Sequence, residues 1–157
     1  MRQLRSWMGI FTVSVALGGG ALPVGSEAPR PCEQGANSVL VQVQGVRSSK
    51  GVLVAVLYGD KPDEFLKKGA RVGRERVPAR PGSVTLCLEA PRPGVYAVVV
   101  FHDENENGKF DRSWNGLPSE GFGVSNNPRA FLRAPTHSEA AFEVGAGQTV
   151  VKIELRY

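Results

Sequence analysis

The sequence predicts an all-β fold over residues 38–157: a single Greek-key-like antiparallel β-sandwich of six to seven strands with one long loop. Three observations predict it. Apolar residues recur at period two or in short unbroken runs, the patterns of half-buried and fully buried strands. Glycine and proline, 19 and 11 of 157 residues, are frequent enough to favour turns and short strands over long helices. The apolar stretches are separated by turn residues at the spacing of sandwich strands.

The N-terminus stands apart from that domain. Arg2 and Arg5 precede an apolar, uncharged stretch from Trp7 to Leu17, and small residues follow as far as Ala28. This is the layout of a secretory signal peptide, here assigned to residues 1–28. Cleavage after Ala28 fits the small-x-small rule, whereas a cut nearer Ala21 or Gly25 avoids starting the mature chain on Pro29. The apolar stretch is shorter than the roughly 20 residues a spanning helix needs, and no later stretch approaches that length. The mature chain is therefore expected to lack a transmembrane segment and to be periplasmic or secreted. Residues 29–37 read as a flexible leader. Cys32 and Cys87 are the only cysteines. In an exported protein an even count predicts a disulfide between them.

Ser38 to Val46 alternates, with Val39, Val41 and Val43 on one face. Val52 to Tyr58 is apolar almost throughout, as a central strand covered on both faces would be. The polar turn from Arg47 to Gly51 predicts that these two strands form a hairpin. Asp63 to Lys68 is expected to form one helical turn, capped by Asp60 and stopped by Gly69, with Phe65 and Leu66 pinning it to the sandwich. Ala70 to Ala79 reads as a basic edge strand. Val84 to Leu88 is a third clear strand. Val95 to His102 is the strongest: Val95, Ala97, Val99 and Phe101 share one face, Tyr96, Val98 and Val100 the other. Val98, Val99 and Val100, with Tyr96, are expected in the core. Asp103 to Thr136 is a long loop, of a length that is usually functional. Ala140 to Val144 and Val150 to Leu155 are expected to close the chain as a hairpin.

One segment carries recognisable chemistry. Oxygen-bearing side chains fall at Asp103, Asn105, Asn107 and Asp111, with Gly108 where a sharp turn needs relaxed dihedrals. This reproduces positions 1, 3, 5, 6 and 9 of a calcium loop. Calcium is hard and takes several oxygens, and alternate residues around a glycine turn aim theirs at one point. Lys109 is expected to add its backbone carbonyl, Glu120 to act as a late ligand, and Phe110 to anchor the loop. The twelfth position is Trp114 rather than a bidentate glutamate, and the preceding segment is a strand, so this is no EF-hand. The competing reading is a β-turn whose Asn-Gly pair supplies positive φ.

These residues also carry a family resemblance. Three motifs in series, from Pro93 to Val98, from His102 to Asp111 and from Gly116 to Asn127, resemble the small secreted bacterial proteins classed as domain of unknown function 2141. The resemblance runs from roughly Ser38 to the C-terminus. It implies no established activity. A weaker similarity to prealbumin-like carrier and adhesin domains implies that calcium binding in such loops has precedent. From Gly116 to Asn127 the residues suggest an irregular loop that packs Leu117, Phe122 and Val124 beneath itself. Glu120, Ser125, Asn126 and Asn127 would then hydrogen-bond its backbone.

Charge excludes one class. Removing Arg2, Arg5 and Glu27 leaves 17 basic and 14 acidic residues, a net charge of +3, too mild for a nucleic-acid binder. The basic residues from Lys67 to Arg80 have no interleaved aromatics on which bases would stack. The expected role is a non-catalytic module, stabilised by calcium, that binds an envelope or extracellular partner. The alternatives are a secreted hydrolase or glycan-active enzyme using the loop carboxylates, and a carrier of a small apolar ligand. His102, Asp103, Ser119, Ser125 and His137 are the residue types of a triad, and Glu104 and Glu106 those of an acid pair, but no nucleophile elbow, HExxH or phosphate loop accompanies them.

Overall fold

The computed structural model describes Cys32 and residues 37–114, 116–129 and 133–157. The signal peptide expected at residues 1–28 and most of the expected leader lie outside the described residues. Eight strands form two sheets: β1 (Ser38–Val46), β2 (Val52–Tyr58), β3 (Arg71–Pro78), β4 (Gly82–Glu89), β5 (Gly94–Asp103), β6 (Phe122–Val124), β7 (Phe142–Val144) and β8 (Gln148–Glu154). The only α-helix among the described residues, α1, spans His137–Ala140. One sheet has the order β4-β1-β8 and the other β3-β2-β5-β6, with β7 also on β5. The architecture is the all-β sandwich that the sequence predicts. No helix among the described residues is long and apolar enough to cross a membrane.

Two apolar clusters account for the strand patterns. Between the sheets, Val39, Val41 and Val43 of β1 meet Leu53, Ala55 and Leu57 of β2, Leu86 of β4, Tyr96, Val98 and Val100 of β5, and Ile153 of β8. On the far side of the second sheet, Val54, Val56, Tyr58, Ala97 and Phe101 are covered by Phe65, Val124 and Ala140, with Phe110 and Phe122 packed alongside. The second cluster explains why β2 and β5 are apolar on both faces: the long segment after β5 lies over them as a third layer. Val99, on that outer face, is only half-buried, against the expectation that it is core. β3 is an edge strand, as its charge predicts.

The strands expected from the sequence are present and β6 is added to the six or seven expected, while several pairings differ. β1 and β2 do not form a hairpin. They sit in different sheets, with their buried faces turned toward one another across the core. β7 and β8 do not pair either: β7 pairs Gly94 to Tyr96 of β5, and β8 crosses to the first sheet. There it runs parallel to β1, so one ladder of an otherwise antiparallel sandwich is parallel. The expected helical turn is split into two 3₁₀ turns, Pro62–Glu64 and Lys68–Ala70, with no side-chain cap. Leu66 at φ 64° breaks the run, and it is exposed, while Phe65 is buried edge-on against Tyr58 at 5.3 Å. The region expected to be irregular contains β6, which pairs Val99 to Phe101. Beyond β8, Arg156 and Phe122 exchange backbone hydrogen bonds of 2.9 Å, tying the edges of the two sheets together. Cys32 is bonded to Cys87 on β4, with Cα atoms 5.2 Å apart, and is buried.

Candidate functional site

The loop that follows β5 is organised by its carboxylates. Asp103, the last residue of β5, is fully buried. Its Oδ1 accepts the Asn107 amide at 3.0 Å and its Oδ2 the Gly108 amide at 2.8 Å. Gly108, at φ 74°, supplies the left-handed turn that brings those amides round. Asn105 Oδ1 accepts the Asn107 amide at 3.1 Å, and Asn107 Oδ1 the Lys109 amide at 2.8 Å. The Nδ2 groups of Asn105 and Asn107 both donate to Asp111 Oδ2, at 2.8 and 2.7 Å. The Asp111 amide in turn donates to Glu120 Oε2 at 3.1 Å. The loop rests on Gly51, where an added Cβ would lie 2.0 Å from the Asp103 carbonyl oxygen. Phe110 meets Phe101 and Phe122 edge-on at 5.7 and 5.8 Å, the anchoring role expected of it.

All six predicted site residues, Asp103, Asn105, Asn107, Lys109, Asp111 and Glu120, therefore fall in one hydrogen-bonded system. Glu120 is only 5% exposed, and its Oε1 has no hydrogen-bond partner. Burial pushes the Glu120 carboxyl up, and the negative charges of Asp103 and Asp111 add to this against the pull of the Asp111 and Glu104 amides. Among the described residues, no three His, Cys, Asp or Glu side chains are disposed to hold a metal ion by themselves. Lys109 contributes its amide to the ladder, and its side chain is exposed.

Two basic residues not foreseen at the site come from β3. Arg76 Nη2 lies 4.0 Å from Asp103 Oδ2, and Arg74 Nη2 donates to the Gly108 carbonyl at 3.2 Å. Period-two alternation along β3 puts both on the outer face, so this signal was present in the sequence. From Asp111 to Ser119 the chain forms a small hairpin: the Ser119 amide donates to Asp111 O at 3.1 Å and the Ser113 amide to Leu117 O at 2.8 Å. Leu117, expected beneath the loop, is exposed instead.

Three of the triad residue types, His102, Ser125 and His137, are engaged elsewhere. His102 is fully buried, with Nε2 2.7 Å from the Lys50 carbonyl, so that nitrogen carries the hydrogen; Nδ1 is 2.7 Å from Tyr157 Oη. Glu104 is paired with Arg47 and accepts from Ser48, and the guanidinium holds its carboxyl down to about 2. Ser125 is buried, its Oγ bonded to the Val98 amide and the Ala140 carbonyl. Asn126 and Asn127 reach the carbonyls of Ala141 and Lys152 rather than their own loop. His137 Nε2 donates to the Gly59 carbonyl, 2.8 Å away, and its ring meets Phe65 edge-on. A small groove beside β6, lined by Phe122, Asn127, Pro135, Glu154 and Arg156, lies apart from the carboxylate loop.

A two-sheet sandwich whose outer face is covered by an Asx-rich carboxylate loop defines the class of protein. The chain belongs to the DUF2141 family, described as an uncharacterized protein conserved in bacteria, whose model matches residues 41–152. No curated protein and no solved structure gives a match.

Proposed function

We propose that this is an exported, non-catalytic binding module for an envelope or extracellular partner, and that calcium held by the Asp103–Asp111 loop stiffens the face it presents. The observation that carries the calcium reading is Glu120: a buried carboxylate with one oxygen unpartnered, beside two further carboxylates. Buried polar atoms without partners cost roughly 1–3 kcal/mol, and an ion is one of the usual remedies. The donor set is all oxygen, which suits a hard cation. Asp103, Asp111 and Glu120 would supply charge. Asn105 and Asn107 would supply neutral oxygens, each keeping a lone pair beyond the amide it already accepts. Engagement of an ion requires the Asn amide groups to release Asp111 Oδ2. That reorganisation, and the missing twelfth-position carboxylate, place the affinity at roughly 0.1–1 mM, the range of extracellular modules.

The non-catalytic reading draws on the same geometry. The His102, Ser125 and His137 side chains are bonded to main-chain carbonyls and amides or to Tyr157. At a dissociation constant of about 0.1 mM, about 1 mM calcium stabilises the fold by roughly 1.4 kcal/mol, a melting shift of a few degrees. Thermal melts in calcium and in chelator test this. Wild type should show the shift, and Glu120→Gln and Asp103→Ala/Asp111→Ala should lose it. Identical wild-type melts would leave the loop as a turn held by its own amides.

A further inference from the structure

We propose that the Asp111–Ser119 hairpin is an insertion tip that docks the protein on an anionic lipid bilayer. This names the partner within the binding-module reading above and rests on it. Trp114 stands in a closed turn: the Gly116 amide donates to Ser113 O at 2.8 Å, and Gly116 takes the left-handed position at φ 81°. At 98% exposure Trp114 is the most exposed large apolar side chain among the described residues, and Leu117, at 52%, shares the apex. An indole and a leucine held out together on a hydrogen-bonded hairpin are a surface built for contact.

The surrounding charge selects the occupant. Lys109 and Arg112 are exposed at the base of the tip, and Arg74 reaches the same base through the Gly108 carbonyl. Arg112 is held in place, its guanidinium 5.5 Å from the Phe110 ring centroid and its Nη1 3.3 Å from the Gly116 carbonyl. Between residues 108 and 119 the sole acidic residue is Asp111, and its carboxylate faces the Asn105 and Asn107 amides. The tip therefore presents an apolar apex with cations at its base. Tryptophan settles at the headgroup level of a bilayer, and lysine and arginine are drawn to anionic headgroups just outside it. A convex apex has no walls to enclose a sugar or peptide, which sets it apart from a ligand pocket.

The described fold lies within residues 32–157, so the processed chain from residue 29 is the material to use, and Trp114 is its single tryptophan. Vesicles of phosphatidylcholine with about one-third phosphatidylglycerol are sedimented with the protein in chelator, alongside pure phosphatidylcholine. The expected result is binding to the anionic vesicles alone, a blue shift of the indole emission, and release at high salt. Trp114→Ala should lower the partition coefficient by roughly tenfold or more without changing the melt, and Arg112→Glu should lower it as well. The proposal is overturned if wild type stays in the supernatant, or if Trp114→Ala sediments equally. It is overturned too if Trp114-dependent binding appears only on insoluble cell-wall glycan. Because the assay is run in chelator, sedimentation without a calcium melting shift leaves the tip standing and removes the calcium loop. A melting shift without sedimentation does the reverse.

Discussion

Glu139 shows how much order a single carboxylate imposes. It pairs with Arg133 at 2.5 Å and accepts from the Thr136 amide and hydroxyl at 2.8 and 2.9 Å, completing a capping box on the four-residue α1. Arg133 first, then the Thr136 groups, hold its carboxyl down from 4.5 to about 2. A depressed folded value means that the stabilisation is present above the ordinary carboxylate range and is lost as pH falls toward about 2. Melts between pH 6 and pH 2 should therefore fall less steeply for Glu139→Gln than for wild type; parallel curves would remove the role. At this scale the candidate site was largely legible. The spacing of Asp103, Asn105, Asn107 and Asp111 around Gly108 identified the loop, and Glu120 was named with it. Where each amide points was not legible, because that depends on how the loop folds back on itself. Nor was Gly51 legible as a site residue, since its need for no Cβ arises from a backbone it meets 52 positions later, at Asp103.

Among the elements, β5 is the one whose sequence said most. Its two faces were read correctly: Tyr96, Val98 and Val100 enter the inter-sheet core, and Ala97 and Phe101 the outer cluster. The two faces differ in depth. Val98→Asp would strand a charge at a fully buried position between the sheets and should prevent folding, whereas Val99→Asp, half-buried under the outer layer, should yield a folded but destabilised protein. Soluble yield and circular dichroism of the two variants check this, and equal behaviour would mean the layers are assigned wrongly. Periodicity reports which face of a strand is buried and carries no information on which strand lies beside it. That is why β1–β2 and β7–β8 looked like hairpins. The short links at 47–51 and 145–147 suit a hairpin or a step between layers equally well. The double apolar face of β2 was the signal that a third layer had to exist.

For the whole molecule, the Cys32–Cys87 bond joins a residue outside the sandwich to the middle of β4, closing a loop across a separation of 55 residues. In the chain-entropy model such a link contributes about 4 kcal/mol. Non-reducing mass spectrometry should find the bond, and Cys32→Ser/Cys87→Ser should melt well below wild type; an unchanged melt would confine the bond to a decorative role. The family match leaves the chemistry to the residues themselves. The parallel ladder carries a further consequence. β1 lies between β4 and β8, with Ser38 opposite Gln148, 110 positions later, and Gln44 opposite Glu154. The middle strand of the first sheet therefore keeps one edge open until β8, residues 148–154, has been made. Contacts this distant in sequence belong to slow-folding topologies, on the scale of milliseconds to seconds. A nascent chain of this kind can pair β2 with β3 and β5 before its first sheet is able to close.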